Sequence, residues 1–447
     1  MEKKFLGKNV YEALLERFHF VFREFSVIYI SFSGGKDSGL LLNLLLDFRD
    51  KYYPSKEIGI FHQDFEAQYT ATTEYVEKTF CLLEKRKNVK LYWVCLPMAT
   101  RTALSSYEMY WYPWDDKKKK SWVRQMPCHD YVIHLDNNPI TTYYYRMHQE
   151  DLAKQFGRWY SQLHHNKKTI CLLGIRASES LQRYSGFVNK KYGYKDTCWI
   201  TKQFKEVWAG SPLYDWSVED IWHAYYCFGY KYNRLYDLYY KAGLTPAQMR
   251  VASPFQDYGK DTLNLYRVID PQIWVKLLGR VQGVNFTSIY GKTKAMGYRN
   301  ISLPEGHSWR SFTRFLLATL PEKLRNNYIE KFNKSIRFWH QTGGGLEEET
   351  IKELKEKGYK VKRNGVSNYT IFKNSRIIFL QKIPDDTDDI ISTKDIPSWK
   401  RMCFCILKND HICRFMGFGM TREQQKKLDL IKKKYRVSLE EMENDSI

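Results

Sequence analysis

The chain's strongest constraint is a short passage near its start. An apolar run, Val27-Ile28-Tyr29-Ile30-Ser31-Phe32, stops at Ser33-Gly34-Gly35-Lys36-Asp37-Ser38 and passes directly into the leucine-rich stretch 39–48. A β-branched and aromatic run reads as a buried strand, and the leucines after the turn read as a helix. Strand, glycine turn and helix in this order open a parallel α/β unit. The flanks agree. Leu14, Leu15, Phe18 and Phe22 recur at helical spacing within 11–25, and apolar strands are expected at 57–61, 89–96 and 168–173. A helix over 71–84 fits between two of them, so a right-handed, mostly parallel sheet is the economical topology.

The segment 98–167 is too long for a simple crossover. It holds Tyr110-Trp111-Tyr112-Pro113-Trp114, then Lys117-Lys118-Lys119-Lys120 and Trp122, and turns helical over 141–165. We read it as an aromatic, basic insertion placed above the strand ends, where the lysines would contact a nucleic-acid backbone and Trp114 and Trp122 would stack on bases. Further on, Ser217 with Asp220 resembles a capping box, and helices are expected at 234–242, 271–280 and 308–339. Gly343-Gly344-Gly345 reads as a linker. Beyond it come a helix over 346–358, a hairpin over 359–383 turning near Lys373-Asn374, and a helix over 398–435. The expected organisation is 1–245 with the insertion, a helical region 246–342 and a C-terminal module 346–447.

Composition narrows the class. Over 447 residues, 43% are hydrophobic and 27% charged, which excludes global disorder, and no window approaches a membrane span. The residues 1–8 are charged and lack an apolar core, so a cytoplasmic protein is expected. Nine scattered cysteines do not suggest a disulfide framework. Lys and Arg exceed Asp and Glu by 71 to 50, a formal charge of +21 that favours anionic substrates or polyanionic partners.

Chemistry gathers on the first turn. Backbone N–H groups of Gly34 and Gly35 and the N-terminus of the following helix suit a polyanion, with hydroxyls from Ser33 and Ser38 and charge from Lys36. The Walker A spacing is absent. At the other strand ends stand Asp64, with Glu66 beside it, and Arg176 in Gly174-Ile175-Arg176-Ala177-Ser178-Glu179-Ser180. An acid there accepts from ribose hydroxyls, holds a metal or merely caps a helix. An arginine there clamps a phosphate or pairs with Glu179.

Ser-Gly-Gly-Lys-Asp-Ser in this setting resembles the PP-loop of the ATP pyrophosphatase superfamily. The stretch 174–180 and the stretch Ser211-Pro212-Leu213-Tyr214-Asp215-Trp216, running on to Asp220 and Trp222, are similar to elements of the phosphoadenosine phosphosulfate (PAPS) reductase-like family. The stretches 111–115, 122–127 and 397–418 resemble the subgroup typified by immunoglobulin-binding regulator A. The resemblance implies an adenine nucleotide alpha hydrolase-like α/β fold with a helical extension and a small α+β module. It implies ATP or a PAPS-like adenosine nucleotide held by Ser33, Gly34, Gly35, Lys36, Asp37, Ser38, Asp64, Gly174, Arg176 and Glu179, with Lys36, Asp37 and Arg176 catalytic. Asp37 would assist Mg²⁺. The implied reaction is cleavage at the α-phosphate that adenylates an acceptor, in nucleic-acid (sulfur) modification. DNA or tRNA and a ParB-like protein are the implied partners, with no membrane.

The Glu-Cys-Gly-x-His tail of PAPS reductases proper and the paired cysteines of iron–sulfur relatives are both absent, so no iron–sulfur cluster is expected. Cys403, Cys405 and Cys413 read as buried helix cysteines. The alternatives are a sulfonucleotide reductase with an unusual thiol and a nucleotide-binding regulator acting with its partner on DNA or transcription.

Overall fold

The computed structural model describes residues 7–105, 107–188, 193–246, 248–256, 259–285, 287, 303–367, 374–387, 389–390, 396–413 and 416. The chain divides into two compact units, Met1–Leu104 with Tyr110–Ser288, and Ser105–Met109 with Ile289–Ile447.

The first unit is built on a seven-stranded sheet. Its strands are β1 (Val27–Ser31), β2 (Ile58–Gln63), β3 (Val89–Val94), β6 (Val132–Ile133), β7 (Thr169–Leu173), β8 (Ile200–Phe204) and β9 (Val207–Gly210). A small separate hairpin joins β4 (Thr100–Arg101) to β5 (Tyr110–Trp111). The order β6-β3-β2-β1-β7-β9-β8 puts the glycine-turn strand at the centre, and all pairs are parallel except β8 with β9. The mostly parallel α/β architecture expected from the sequence is therefore present.

Register makes the core. Ile28 lies beside Ile58 and Ile170, and Ile30 beside Ile60 and Leu172, all fully buried. Helix α1 (Val10–Glu24) buries Leu14, Phe18, Val21 and Phe22 against this core. Helix α2 (Lys36–Tyr52) buries Leu40, Leu41, Leu42, Leu44, Leu45 and Leu46, and so is apolar on nearly every side, as a helix inside a core must be. Helix α3 (Thr70–Glu84) covers the sheet with Val76, Phe80 and Leu83.

Two expectations about 98–167 change. Its helical part, α4 (Gln149–Leu163), does not stand above the strand ends but covers a sheet face. Phe156 stacks on Phe61 at 4.1 Å, and Tyr29 meets Tyr160 edge-on at 5.3 Å. The same segment supplies the two-residue strand β6 to the sheet edge. An amphipathic helix ahead of a buried strand finds more apolar area on the sheet face than above it.

In the second unit, helices Trp309–Thr319 and Glu322–Gln341 replace the single helix expected over 308–339, broken where Pro321 cannot donate to the preceding turn. The expected hairpin is present as β11 (Val361–Val366) against β12 (Ser375–Phe379). Gly343-Gly344-Gly345 is not a linker. Residues Gly344–Leu346 form β10, which pairs with β12. A Cβ on Gly343 would lie 2.3 Å from the Ile377 carbonyl oxygen, and one on Gly344 2.3 Å from the Trp339 ring. Close packing explains these glycines. Cys403 and Cys405 point into the core from helix Trp399–Leu407, as expected; the remainder of the expected helix, beyond 416, lies outside the described residues.

Candidate functional site

The turn between β1 and α2 sits at the carboxyl end of the central strand, where an open parallel sheet gathers its ligands. Gly35 is the N-cap of α2 and offers no side-chain cap, which leaves the helix N-terminus to outside acceptors. Gly34 adopts φ +77°, and a Cβ there would lie 2.8 Å from Val76. The hydroxyls of Ser33 and Ser38 are 2.9 Å apart, and Ser38 Oγ donates to the Gly35 carbonyl at 3.2 Å.

Side chains from distant sequence hold the turn. Tyr236 Oη accepts from the Lys36 N–H at 2.9 Å, and Tyr225 Oη donates to the Lys36 carbonyl at 2.7 Å. Asn233 Nδ2 donates to the Gly34 carbonyl at 3.0 Å and to Thr72 Oγ1 at 2.9 Å. Gly174 serves by absence, because a Cβ there would lie 2.7 Å from Ser38 N and 2.8 Å from Asp37 C. The last residues of β7 thus press against the first peptide units of α2.

This contact brings Arg176 to Asp37. Arg176 Nε donates to Asp37 Oδ1, its Nη1 donates to Ser178 Oγ at 2.8 Å, and Lys36 Nζ donates to Asp37 Oδ2 at 3.0 Å. Lys36 and Arg176 are each 5% exposed. Ser33, Lys36, Asp37, Ser38 and Arg176 therefore converge at one place. Glu179 does not touch the guanidinium. It caps the backbone, with Oε1 accepting from the Arg176 N–H at 3.1 Å.

Asp64 stands apart from this cluster. Trp93 Nε1 donates to its Oδ2 at 2.6 Å, Arg124 Nη2 to its Oδ1 at 2.6 Å, and the Glu66 N–H to the same oxygen at 2.7 Å. Burial alone raises a carboxyl, but Arg124 and His62 outweigh it and hold Asp64 below its ordinary value. Glu66 is completely buried and binds Arg280 through two hydrogen bonds of 2.7 and 2.8 Å while accepting from the Trp114 and Val123 N–H groups at 2.9 Å each. That pair fastens 114–123 to helix Pro271–Arg280. Trp114 cannot stack on bases as the sequence suggested, since it is 1% exposed and its indole N–H donates to the Asp64 carbonyl at 3.2 Å.

Beside the turn opens a cavity of about 170 Å³, lined by Ser33, His62, Gln68, Thr72, Trp93, Arg124 and Ser253 among others. Gln68 Oε1 and Ser253 Oγ are buried without a hydrogen-bond partner. Such atoms are costly unless something satisfies them. His62 Nδ1 donates to the Phe32 carbonyl at 2.7 Å, and burial lowers its pKa, so the ring is neutral at pH 7. The sequence singled out neither Arg124, although it lies in the quoted stretch 122–127, nor Gln68, Ser253, Tyr236 and Asn233, which no local pattern marks.

Among the described residues no group of three His, Cys, Asp or Glu side chains could hold a metal, and no helix is long and apolar enough to cross a membrane. Both oxygens of Asp37 are engaged by cations, so these residues do not form a resident metal site.

Comparison with known proteins fits this geometry. Residues 27–243 match the phosphoadenosine phosphosulfate reductase domain, and 243–427 match DUF3440, a domain of unknown function. The uncharacterized protein YbdN of Escherichia coli K12 is 32% identical over 426 residues, spanning 94% of this chain and 93% of YbdN. Among solved structures, PAPS reductase from Candida auris aligns at 13% identity and TM-score 0.29, covering 57% of this chain and 98% of its own. The U34-tRNA thiolase NcsA from Methanococcus maripaludis aligns at 10% and 0.30, covering 62% and 80%. Alignments this weak add nothing to the topology already described. The chain thus belongs to the same family as YbdN, with a PAPS reductase domain carrying the PP-loop and DUF3440 following it.

Proposed function

We propose that this protein binds ATP or a related adenosine nucleotide at the β1–α2 turn and cleaves it at the α-phosphate to adenylate an acceptor. The observation that carries the reading is the convergence of Lys36, Asp37 and Arg176 on an uncapped helix N-terminus beside a cavity with unsatisfied polar atoms. In the reaction an acceptor oxygen attacks the α-phosphorus, the bond to the bridging oxygen breaks, and pyrophosphate leaves with that electron pair. Lys36 and the N–H groups at the start of α2 stabilise the charge gathering on pyrophosphate, being already fixed in place by Tyr236 and Tyr225. Arg176 binds a phosphate oxygen when the nucleotide enters, and Asp37 keeps its guanidinium oriented until then. The 170 Å³ cavity receives the adenosine, with Gln68 Oε1 accepting from an amine or hydroxyl and Ser253 Oγ donating or accepting. Magnesium enters as part of the nucleotide substrate, on phosphate oxygens.

The reductase alternative is weakened by the thiols. Burial pushes Cys403 up to about 12 and raises Cys405, which disfavours the nucleophilic thiolate. The net charge of +21 supports DNA or tRNA as the acceptor class.

Pyrophosphate release from ATP with Mg²⁺, with and without tRNA or DNA, tests the reading. Release that rises with one polymer and is lost in Lys36→Ala is expected. No release alongside tight ATP binding would favour the nucleotide-sensing regulator.

A further inference from the structure

The first unit contains a second and larger cavity, of about 850 Å³, and Arg124 is the residue that the two linings share. Its walls differ in chemistry. Lys119, on the turn Asp116–Ser121, and Lys276, on helix Pro271–Arg280, are both exposed and bring positive charge from two separate elements. Asp130, Asp136 and Asn137 bring hydrogen-bond acceptors from the segment that follows. Trp122 lies among these groups. Its indole N–H donates to the Asp115 carbonyl at 3.1 Å, which fixes the ring, and Lys119 Nζ lies 5.6 Å from the ring centroid. Asp115 is itself held by Arg146 and by Tyr145 Oη at 2.8 Å.

A fixed, half-buried indole with a cation near it is a stacking surface for a planar base. Carboxylates and an amide oxygen suit exocyclic amines, and lysines opposite them suit a phosphate. The volume lies within the roughly 300–1,000 Å³ of small-molecule sites and accommodates a nucleotide. The exposed lysines 117, 118 and 120 stand on the same turn, ready for neighbouring phosphates.

We propose that this cavity binds the acceptor as a nucleotide unit, a base on Trp122 with its phosphate between Lys119 and Lys276, presented by single-stranded nucleic acid. The proposal rests on the adenylation reading and names the acceptor's site. Arg124, anchored by Asp64, is then the positioning residue between the nucleotide cavity and the acceptor cavity.

The test is fluorescence anisotropy of a labelled single-stranded RNA of about ten nucleotides on the full chain, at low salt. Parent, Lys119→Glu with Lys276→Glu, and Trp122→Leu are compared, with ATP binding by calorimetry as the folding control. The double variant is expected to bind RNA about tenfold or more weakly with a shallower salt dependence. Trp122→Leu is expected to lose about fivefold or more. ATP affinity should be unchanged in both. Cytidine monophosphate is added as competitor. Displacement only far above the RNA concentration identifies the polymer as the source, whereas displacement at comparable concentration identifies a free nucleotide in the same site. RNA affinity unchanged in the double variant, or no binding of either probe to the parent, overturns the proposal. Should RNA bind here while no pyrophosphate is released, adenylation falls and the cavity's occupant stands. Lys36-dependent release with RNA affinity unaffected by the variants means the reverse.

Discussion

Two carboxylates of the first unit, Asp37 and Glu66, each meet an arginine, and the difference between them separates a ligand site from a fastening. Glu66 is fully buried and accepts from four donors, two on Arg280 and two backbone N–H groups. Its backbone is held at φ +64°, a conformation uncommon outside glycine. No acceptor capacity is left for a ligand. Asp37 is partly exposed, and its two cations stand at the edge of a cavity and at a helix N-terminus that lacks a side-chain cap. A pair saturated on every side holds structure, whereas a pair left open toward water can exchange its partner for a phosphate.

The comparison breaks most readily at Glu66. Glu66→Ala would strand the Arg280 guanidinium in a dry site, and a loss of about 3–5 kcal/mol in urea unfolding is expected. A loss below about 1 kcal/mol would mean the fastening is no such thing. At the other pole, Lys36→Ala should leave unfolding within about 1 kcal/mol of the parent yet reduce pyrophosphate release about a hundredfold, the scale of losing one fixed donor to developing charge. If stability falls instead and release persists, the two carboxylates do not differ as argued.

Gly174→Ala sharpens the picture, because its Cβ meets backbone rather than a movable side chain. We expect about 1–3 kcal/mol of destabilisation together with weaker nucleotide binding, read by thermal unfolding and calorimetry. Asp64 provides a pH test. Its folded pKa is depressed, so its contribution to stability is complete above the unfolded carboxyl value near ~3.9 and is lost as pH falls through the lower folded value. Unfolding followed through this acid range should show that loss in the parent and lack it in Asp64→Asn. The smallest effect is expected from Ser253→Ala, a several-fold loss of ATP affinity with stability unchanged or slightly raised, since an unpaired buried hydroxyl is removed.

The central strand, the turn and helix α2 were legible because their signals are local: an apolar run, two glycines and a leucine-rich stretch adjoin in the chain. The capping box at Ser217 and Asp220 was legible for the same reason, and both reciprocal hydrogen bonds are present. Strands β6 and β9 were not, being two and four residues long and paired only through partners far along the chain. Gly343-Gly344-Gly345 misled because glycine signals either freedom or crowding, and only the positions of Trp339 and Ile377 decide between them. Trp114 misled likewise: an aromatic beside lysines suits stacking until Glu66, Asp64 and Arg124 bury it.

The sequence alone determined that a PP-loop would sit on a parallel α/β unit and that Lys36, Asp37 and Arg176 were its chemical groups, since residue type and short spacing carry that information. Tertiary structure decided which acids were free to act. It closed Glu66 around Arg280, a partner 214 positions away, tied Asp64 to Arg124, and set Ser253 and Gln68 unpaired in one cavity. The reason is physical. A side chain's capacity to bind is what remains after its neighbours have taken their share, and those neighbours are assembled by folding.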